Sequence, residues 1–259
     1  MALTDNLISV WHMNNNSQDS WGTNHGTAYG AVFDATVKKL GSHAGIVDGV
    51  DDYIYVPASS SLNIGSGDFS VQAWINISQA GTDKGIVVMD DGLSVISMYM
   101  TAANLVKFVA RDSGGDAAIA SSATTISIDT WYHIVGVRSG TTVKIYVNGA
   151  LEGSTTNAAL GAITTTDHWH IGVSVDGTDT HARWFKGRLD EVAIASRAWQ
   201  QADVTESYNG GAGVEIGAPE RIFNPLAPKV IQPEAKHKVI HADNKPKVIQ
   251  SRNPFKVVK

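Results

Sequence analysis

The chain has no cysteine among its 259 residues, which excludes disulfides, thiolate metal sites and a cysteine nucleophile. Proline is scarce until the end, where six of the seven copies fall between Pro219 and Lys259. Long apolar runs are missing. The opening MALTDNLISVWHM has no basic stretch ahead of an unbroken apolar one, and nothing approaches the roughly 20 apolar residues of a membrane span. Neither a secretion signal nor a transmembrane helix is expected, so the product stays where it is made or leaves by a route such as lysis. Helical periodicity is nearly absent, which argues against an α/β fold.

The charge is unevenly divided. Residues 1–218 carry 11 Lys/Arg against 22 Asp/Glu, and residues 219–259 carry 9 against 3. An acidic body is joined to a basic end, with a boundary near Gly210 to Pro219.

The body reads as strands and turns. FSVQAWINI, YHIVGVRS and TVKIYVNGALEGS alternate in polarity and are rich in β-branched and aromatic residues, with Gly, Asn, Asp and Ser between them. Asn148-Gly149 favours the positive φ angles of a type I′ hairpin turn, placing Val143, Ile145 and Val147 on one face and Lys144 and Tyr146 on the other. Asp48-Gly49 reads as a turn feeding the strand YIYV. SRAWQQADVTESYNGG is the one helical candidate, with Asp203 and Glu206 on its polar face and Gly210 as a left-handed stop. The fold class is therefore all-β, an antiparallel two-sheet sandwich with a short closing helix. The domains are a body over 1–211, a linker over 212–218 and an extended tail over 219–259.

Four phrases, in order and spacing, carry a family likeness: LISVWHMNNNSQDSWGTNHGTAYGAVF, VDGVDDYIYVPASSSLNIGSGDFSVQAWI, TWYHIVGVRSGTTVKIYVNGALEGS and FKGRLDEVAIASRAWQQADV. Over about residues 5–210 the chain resembles the laminin G-like jelly rolls of the concanavalin A-like lectin and glucanase superfamily. The resemblance implies a jelly roll with a concave and a convex sheet, a fold used for glycan binding, adhesion, glycoside hydrolysis and virion decoration. Fold does not choose among these uses.

Hydrolysis needs two carboxylates held across the scissile bond. Hydrolases of the resembled superfamily set them on one strand as Glu-x-Asp-x-x-Glu, and that string is missing. The body offers Glu152, Glu191, Glu206 and Glu215, with Glu152 after a hairpin turn and Glu206 in the helical candidate. The neighbours Asp51-Asp52 and Asp90-Asp91 would point to opposite faces of a strand. There is no nucleophile elbow, phosphate loop or EF-hand loop. No catalytic residue is assigned, and the chain is expected not to be an enzyme.

Other sites are expected on the same footing. The resemblance implies a structural calcium ion between an Asp early in the last long strand and the N-terminal loop, which by position are Asp190 and Asp19. His168 and His170 could ligate a metal from one strand face, but polar surface residues beside a buried Trp169 is the preferred reading. Sugars pack their C–H faces on aromatic rings, so Trp21, Tyr99, Trp169 and Trp184 are the glycan candidates, whereas Trp74 and Trp131 alternate with apolar residues as core positions do.

The tail keeps a beat of nine: Lys229-Val230-Ile231, Lys238-Val239-Ile240, Lys247-Val248-Ile249 and Lys256-Val257-Val258, with Ile222 as an earlier degenerate member. An odd period does not suit one face of a strand, and the prolines exclude a helix, leaving extended segments. Nucleic acid would call for denser basic and aromatic residues, and anionic lipid for clustered Lys. Apolar plugs led by Lys fit a protein surface with acidic rims. The expected partner is thus a protein assembly held through the tail, with cell-surface glycan at the head and further copies of the chain as other partners. A bacteriophage virion is the assembly favoured, as capsid or tail decoration, and an adhesion module on a bacterial surface is the alternative.

Overall fold

The computed structural model describes residues 1–164, 167–178 and 180–217. In chain order the strands begin with β1 (Leu7–Trp11), β2 (Thr27–Tyr29), β3 (Val32–Asp34), β4 (Ala44–Asp48), β5 (Tyr53–Val56) and β6 (Phe69–Ile77). Then come β7 (Lys84–Asp90), β8 (Val95–Met100), β9 (Val106–Arg111), β10 (Ala117–Ser121), β11 (Trp131–Ser139) and β12 (Thr142–Val147). The last are β13 (Ala150–Thr156), β14 (Trp169–Ile171), β15 (Ser174–Val175), β16 (His181–Ala182) and β17 (Lys186–Ala195), followed by one α-helix, α1 (Gln201–Tyr208).

Two antiparallel sheets form the sandwich. Sheet A runs β13-β12-β11-β6-β17-β4-β3, with β1 also paired to β17, and sheet B runs β10-β9-β8-β7-β14-β5-β2. Hairpin β15-β16 stands apart from both. The jelly-roll sandwich expected from the sequence is what forms.

Alternation explains the layers. Along β6, Phe69, Val71, Ala73, Ile75 and Ile77 enter the core between the sheets, where they meet Val87, Met98, Phe108 and Trp169 of sheet B. All nine residues of β6 are nonetheless buried. Leu3, Leu7, Trp199, Val204 and Ile216 form a second cluster with Val135, Val137, Tyr146 and Ala193, which closes the other side of sheet A. Sheet A is thus covered on both sides at its central strands, while edge strands β13 and β3 stay exposed or half-buried.

β17 serves both clusters by breaking register once. Leu189 and Val192 both face the inter-sheet core, an odd spacing that straight pairing forbids. A bulge between Asp190 and Ala193, with Glu191 at φ +49°, supplies the extra residue.

The β12-β13 turn takes the expected form, with Asn148 at φ +50° and Gly149 at φ +83°. Two details of the helix differ from expectation. The left-handed stop begins one residue earlier than expected, with Asn209 as the cap (φ +46°) and Gly210 following in the same region (φ +59°), because a side-chain amide tolerates that conformation. Asp203 is buried rather than on a polar face: it accepts from Gln200 N at 2.7 Å and pairs with Arg197. The linker expected over 212–218 is, through Gly217, part of the packed body, since Ile216 is 1% exposed in the second cluster. By its internal contacts the chain divides into Met1–Pro219 and Glu220–Lys259. The second unit, with Ile222, the Lys229, Lys238, Lys247 and Lys256 repeats and their Val and Ile partners, lies outside the described residues.

Candidate functional site

The second cluster covers the middle of sheet A, whereas the outer face of sheet B has only a small cluster over it among the described residues. Hairpin β15-β16 lies across part of it. Gly172 N donates to Ile86 O at 3.0 Å and Gly85 N to Arg183 O at 2.8 Å, so the hairpin base is bonded to β7. A Cβ on Gly85 would come within 2.2–2.4 Å of the Val173–Ser174 backbone, so glycine is what lets the hairpin settle there. At the tip, a Cβ on Gly177 would meet Gly92 Cα at 1.9 Å. Val88, Val173 and Val175 fill the space beneath, against Tyr53 and Trp184.

Between hairpin and sheet runs a cleft of about 410 Å³, floored by Ser97, Tyr99 and Val109 and rimmed by Asp90, Arg111, Asp176 and Arg183. Arg111 approaches Asp90 at 3.8 Å and donates to Gly92 O and Leu93 O, which fixes its guanidinium along the rim. Burial pushes the Asp90 carboxyl above the usual carboxylate range, against the pull of the Gly92 N–H and Arg111. Asp176 is held low by hydrogen bonds from the Thr178 hydroxyl and from the Thr178 and Thr180 N–H groups. Opposite shifts in two nearby carboxyls can mark an acid and a base. Here Asp176 Oδ1 takes contacts of 2.7, 3.0 and 3.1 Å from the hairpin's own Thr178 and Thr180, so its work is to hold the tip.

Beside the cleft lies a continuous aromatic surface. Tyr29 stacks on Tyr53 at 4.9 Å, Tyr53 meets His181 at 4.5 Å, and His181 meets Trp184 at 5.5 Å. Tyr55 joins His168 through its hydroxyl, 2.8 Å from Nδ1. Tyr53 and Tyr55 face outward because Ile54 and Val56 face the core. Tyr29, Tyr53 and His181 are absent from the candidates that sequence reasoning yields; YIYV, with two tyrosines two residues apart, carries a signal for Tyr53 but none for Tyr29 or His181.

The glycan candidates part company. Tyr99 lines the cleft and Trp184 borders the hairpin, so these two sit on the same sheet face. Trp21 is 45% exposed and lies elsewhere, against Gly217 and with its Nε1 on Leu7 O. Trp169 is a correction: at 1% exposure its ring is in the inter-sheet core, because β14 turns that side inward, and it offers no face to a ligand. His170, expected at the surface, is likewise buried, under Tyr53, Tyr55 and His181. Trp131 is half-buried rather than core.

Asp19 and Asp190 do different work. Asp19 accepts from Val10, Trp21, Gly22 and Asn24 N–H groups and so pins the N-terminal loop. Asp190 sits in the middle of β17 and accepts from Lys39, Leu40 and Glu191 N–H groups. Burial, with Glu191 adjacent, pushes its pKa up to about 7 against those donors. Calcium takes six to eight oxygen ligands, whereas these oxygens are surrounded by donors, so the pair does not fit a shared calcium ion. Of the glutamates, Glu152 accepts from Ala123 N, Thr124 N and Thr124 Oγ1 and ties β13 to the segment after β10. Among the described residues no helix is long and apolar enough to cross a membrane.

A family model described as the concanavalin A-like lectin/glucanases superfamily matches residues 48–205. No curated protein matches the chain in sequence. Among solved structures, the binding domain of Paraclostridial Mosquitocidal Protein 1 aligns with a TM-score of 0.68 at 18% identity, covering 81% of this chain and 53% of that one. Domain 4 of AbnA, an extracellular arabinanase from Geobacillus stearothermophilus solved in complex with arabinotriose, aligns at 0.63 and 20% identity, covering 80% and 98%. The receptor binding domain of botulinum neurotoxin D aligns at 0.63 and 14% identity, covering 81% and 54%. The chain therefore spans about half the length of the two toxin domains and nearly all of the arabinanase domain. At these identities the likeness is one of fold.

Proposed function

The chain belongs to the concanavalin A-like lectin/glucanases superfamily, and from that premise we propose that it is a non-catalytic, lectin-like module that takes glycan into the cleft on the outer face of sheet B. The observation that carries this reading is the joining of one polar and one aromatic wall at a single place. Tyr99 in the cleft and Trp184 in the adjoining aromatic surface would take sugar C–H groups, while Asp90, Arg111 and Ser97 supply the donors and acceptors that hydroxyls need. The comparison structures titled as binding domains, and the one solved with arabinotriose, support a binding role over a catalytic one.

The setting we propose is a bacteriophage virion, with the head displayed as capsid or tail decoration and residues 219–259 gripping the shell through the Val-Ile plugs. The spacing of nine and the basic charge of that segment support it. Display on a bacterial surface as an adhesion module is the second reading, and it uses the same cleft.

The test is glycan-array screening of the full chain followed by calorimetry on the hits. Tyr99→Ala and Trp184→Ala should each weaken binding about tenfold, which corresponds to about 1.4 kcal/mol, with the melting temperature little changed. Array hits that both variants bind as tightly as wild type, or turnover of a bound polysaccharide, would sink the reading.

A further inference from the structure

Beside the second cluster, outside the cleft lining, three side chains converge. His12 follows β1, Glu191 occupies the β17 bulge, and Glu215 lies in the segment after α1. One ligand atom from each, an imidazole nitrogen and two carboxylate oxygens, falls within 4.8 Å of the others. His12 Nδ1 is 2.8 Å from Glu191 Oε1, and Glu191 Oε2 takes a 3.3 Å contact from Ile216 N. Glu215 Oε1 accepts from Asn14 Nδ2 at 2.8 Å.

We propose that His12, Glu191 and Glu215 form a binding site for a zinc-class divalent cation.

The donor set selects the class of ion. One imidazole with carboxylates suits zinc and its neighbours, while calcium wants six to eight oxygens. Bonds of about 2.0–2.2 Å in a tetrahedron need ligand atoms about 3.3–3.5 Å apart. The His12–Glu191 contact is already closer than that, and the half-exposed Glu215 side chain can close the third side. Charge favours a cation too. Glu191 is fully buried with the Asp190 carboxyl next to it in sequence, and the Lys39 ammonium is bonded to Gly211 O and lies over the Trp74 ring at 4.1 Å. A divalent cation bound to His12 Nδ1 and Glu191 Oε1 would replace the 2.8 Å hydrogen bond between them, and its proton would be released to solvent as metal binding to imidazole does. Because Ile216 is locked in the second cluster, a cation on Glu215 would tie residues 212–217 to β1 and β17 together.

The experiment uses tag-free full-length protein, stripped with EDTA and titrated with ZnCl2, CoCl2 and CaCl2 in turn. One equivalent of Zn2+ should bind and raise the melting temperature, and Co2+ should give the visible bands of a four-coordinate nitrogen and oxygen site. Glu215→Gln, on a half-exposed side chain, should weaken Zn2+ binding at least tenfold while the apo protein melts as wild type; His12→Gln should do the same. A His168→Ala/His181→Ala protein, lacking imidazoles of the other sheet, should bind Zn2+ as wild type does. Zn2+ binding unchanged by Glu215→Gln, or binding that follows His168 and His181, overturns the assignment. So does stabilisation by CaCl2 with no Co2+ spectrum.

Discussion

Arg197 and Asp203 meet through two guanidinium nitrogens and both carboxylate oxygens, at 2.7 and 2.8 Å, with less than a tenth of either side chain exposed. The same guanidinium donates to the carbonyls of Asp5 and Ala2, and the same carboxylate accepts from Gln200 N. One pair thus joins the N-terminus, the end of β17 and the start of α1. Removing only the acid strands a buried cation. Asp203→Asn should therefore cost about 3 kcal/mol in urea unfolding, more than an exposed pair would. An Arg197→Met/Asp203→Leu double variant should recover part of that loss, since neither charge is then left alone. A loss below about 1 kcal/mol for the single variant would show that the junction is held by other contacts.

His133 should set part of the acid limit of stability. Its ring is fully buried, with Nε2 at 3.0 Å from Gln72 Oε1 and 3.2 Å from Ser207 Oγ, and burial with the nearby Lys39 charge lowers its pKa to about 3. The unfolded value is about 6.5. Below that pH the unfolded chain takes up a proton that the folded chain refuses, so stability falls with pH, by about 1.4 kcal/mol per unit, until about pH 3. His133→Asn should remove that share of the slope between pH 6 and 4, whatever it costs at pH 7. Parallel curves for variant and wild type over that range would contradict it.

The hairpin over sheet B should be separable from the core. Gly85→Val places a side chain into the Val173–Ser174 backbone and should lift β15-β16, with a loss of about 1–3 kcal/mol from overpacking. Limited proteolysis should then cut near residues 174–182 while the rest of the body stays resistant. Wild-type protection would mean that the hairpin is held from its tip.

Deleting residues 219–259 should keep the head from its assembly, and replacing Ile231, Ile240 and Ile249 together by Asp should do nearly the same. Each Val-Ile pair would contribute roughly 2–4 kcal/mol of apolar burial, against ordering costs of about 1–2 kcal/mol per residue, so only linked repeats bind usefully. Normal occupancy of the truncated protein on virions, counted by quantitative mass spectrometry, would rule out the strap.

The strands, the Asn148-Gly149 turn and the closing helix were legible because each is written in neighbouring residues. Alternation also showed which side chains share a face, as with Val143, Ile145 and Val147. It does not show which face is inside when both can be covered. Trp169 and Trp184 look alike in sequence, yet one lies in the core and the other borders the hairpin, a difference decided by how β14 pairs with β5 and β7. The His12–Glu191 contact spans 179 positions, and Glu215 stands in a stretch that composition marks as a linker. Neither could be found from spacing, because the bulge that turns Glu191 toward His12 exists only once β1 and β6 flank β17.

The hairpin between Gly172 and Phe185 has a consequence for descent. It begins and ends at backbone bonds between those two residues, Phe185 N donating to Gly172 O at 2.9 Å. Between them lie Ser174, Val175, Asp176, Ala182 and Arg183 of the cleft wall, and none of these residues pairs in either large sheet, so their side chains can change while the strand order of both sheets is kept. A lineage carrying this fold can therefore reshape one wall of that cleft through substitutions in a single short segment, while the opposite wall stays written in β7, β8 and β9.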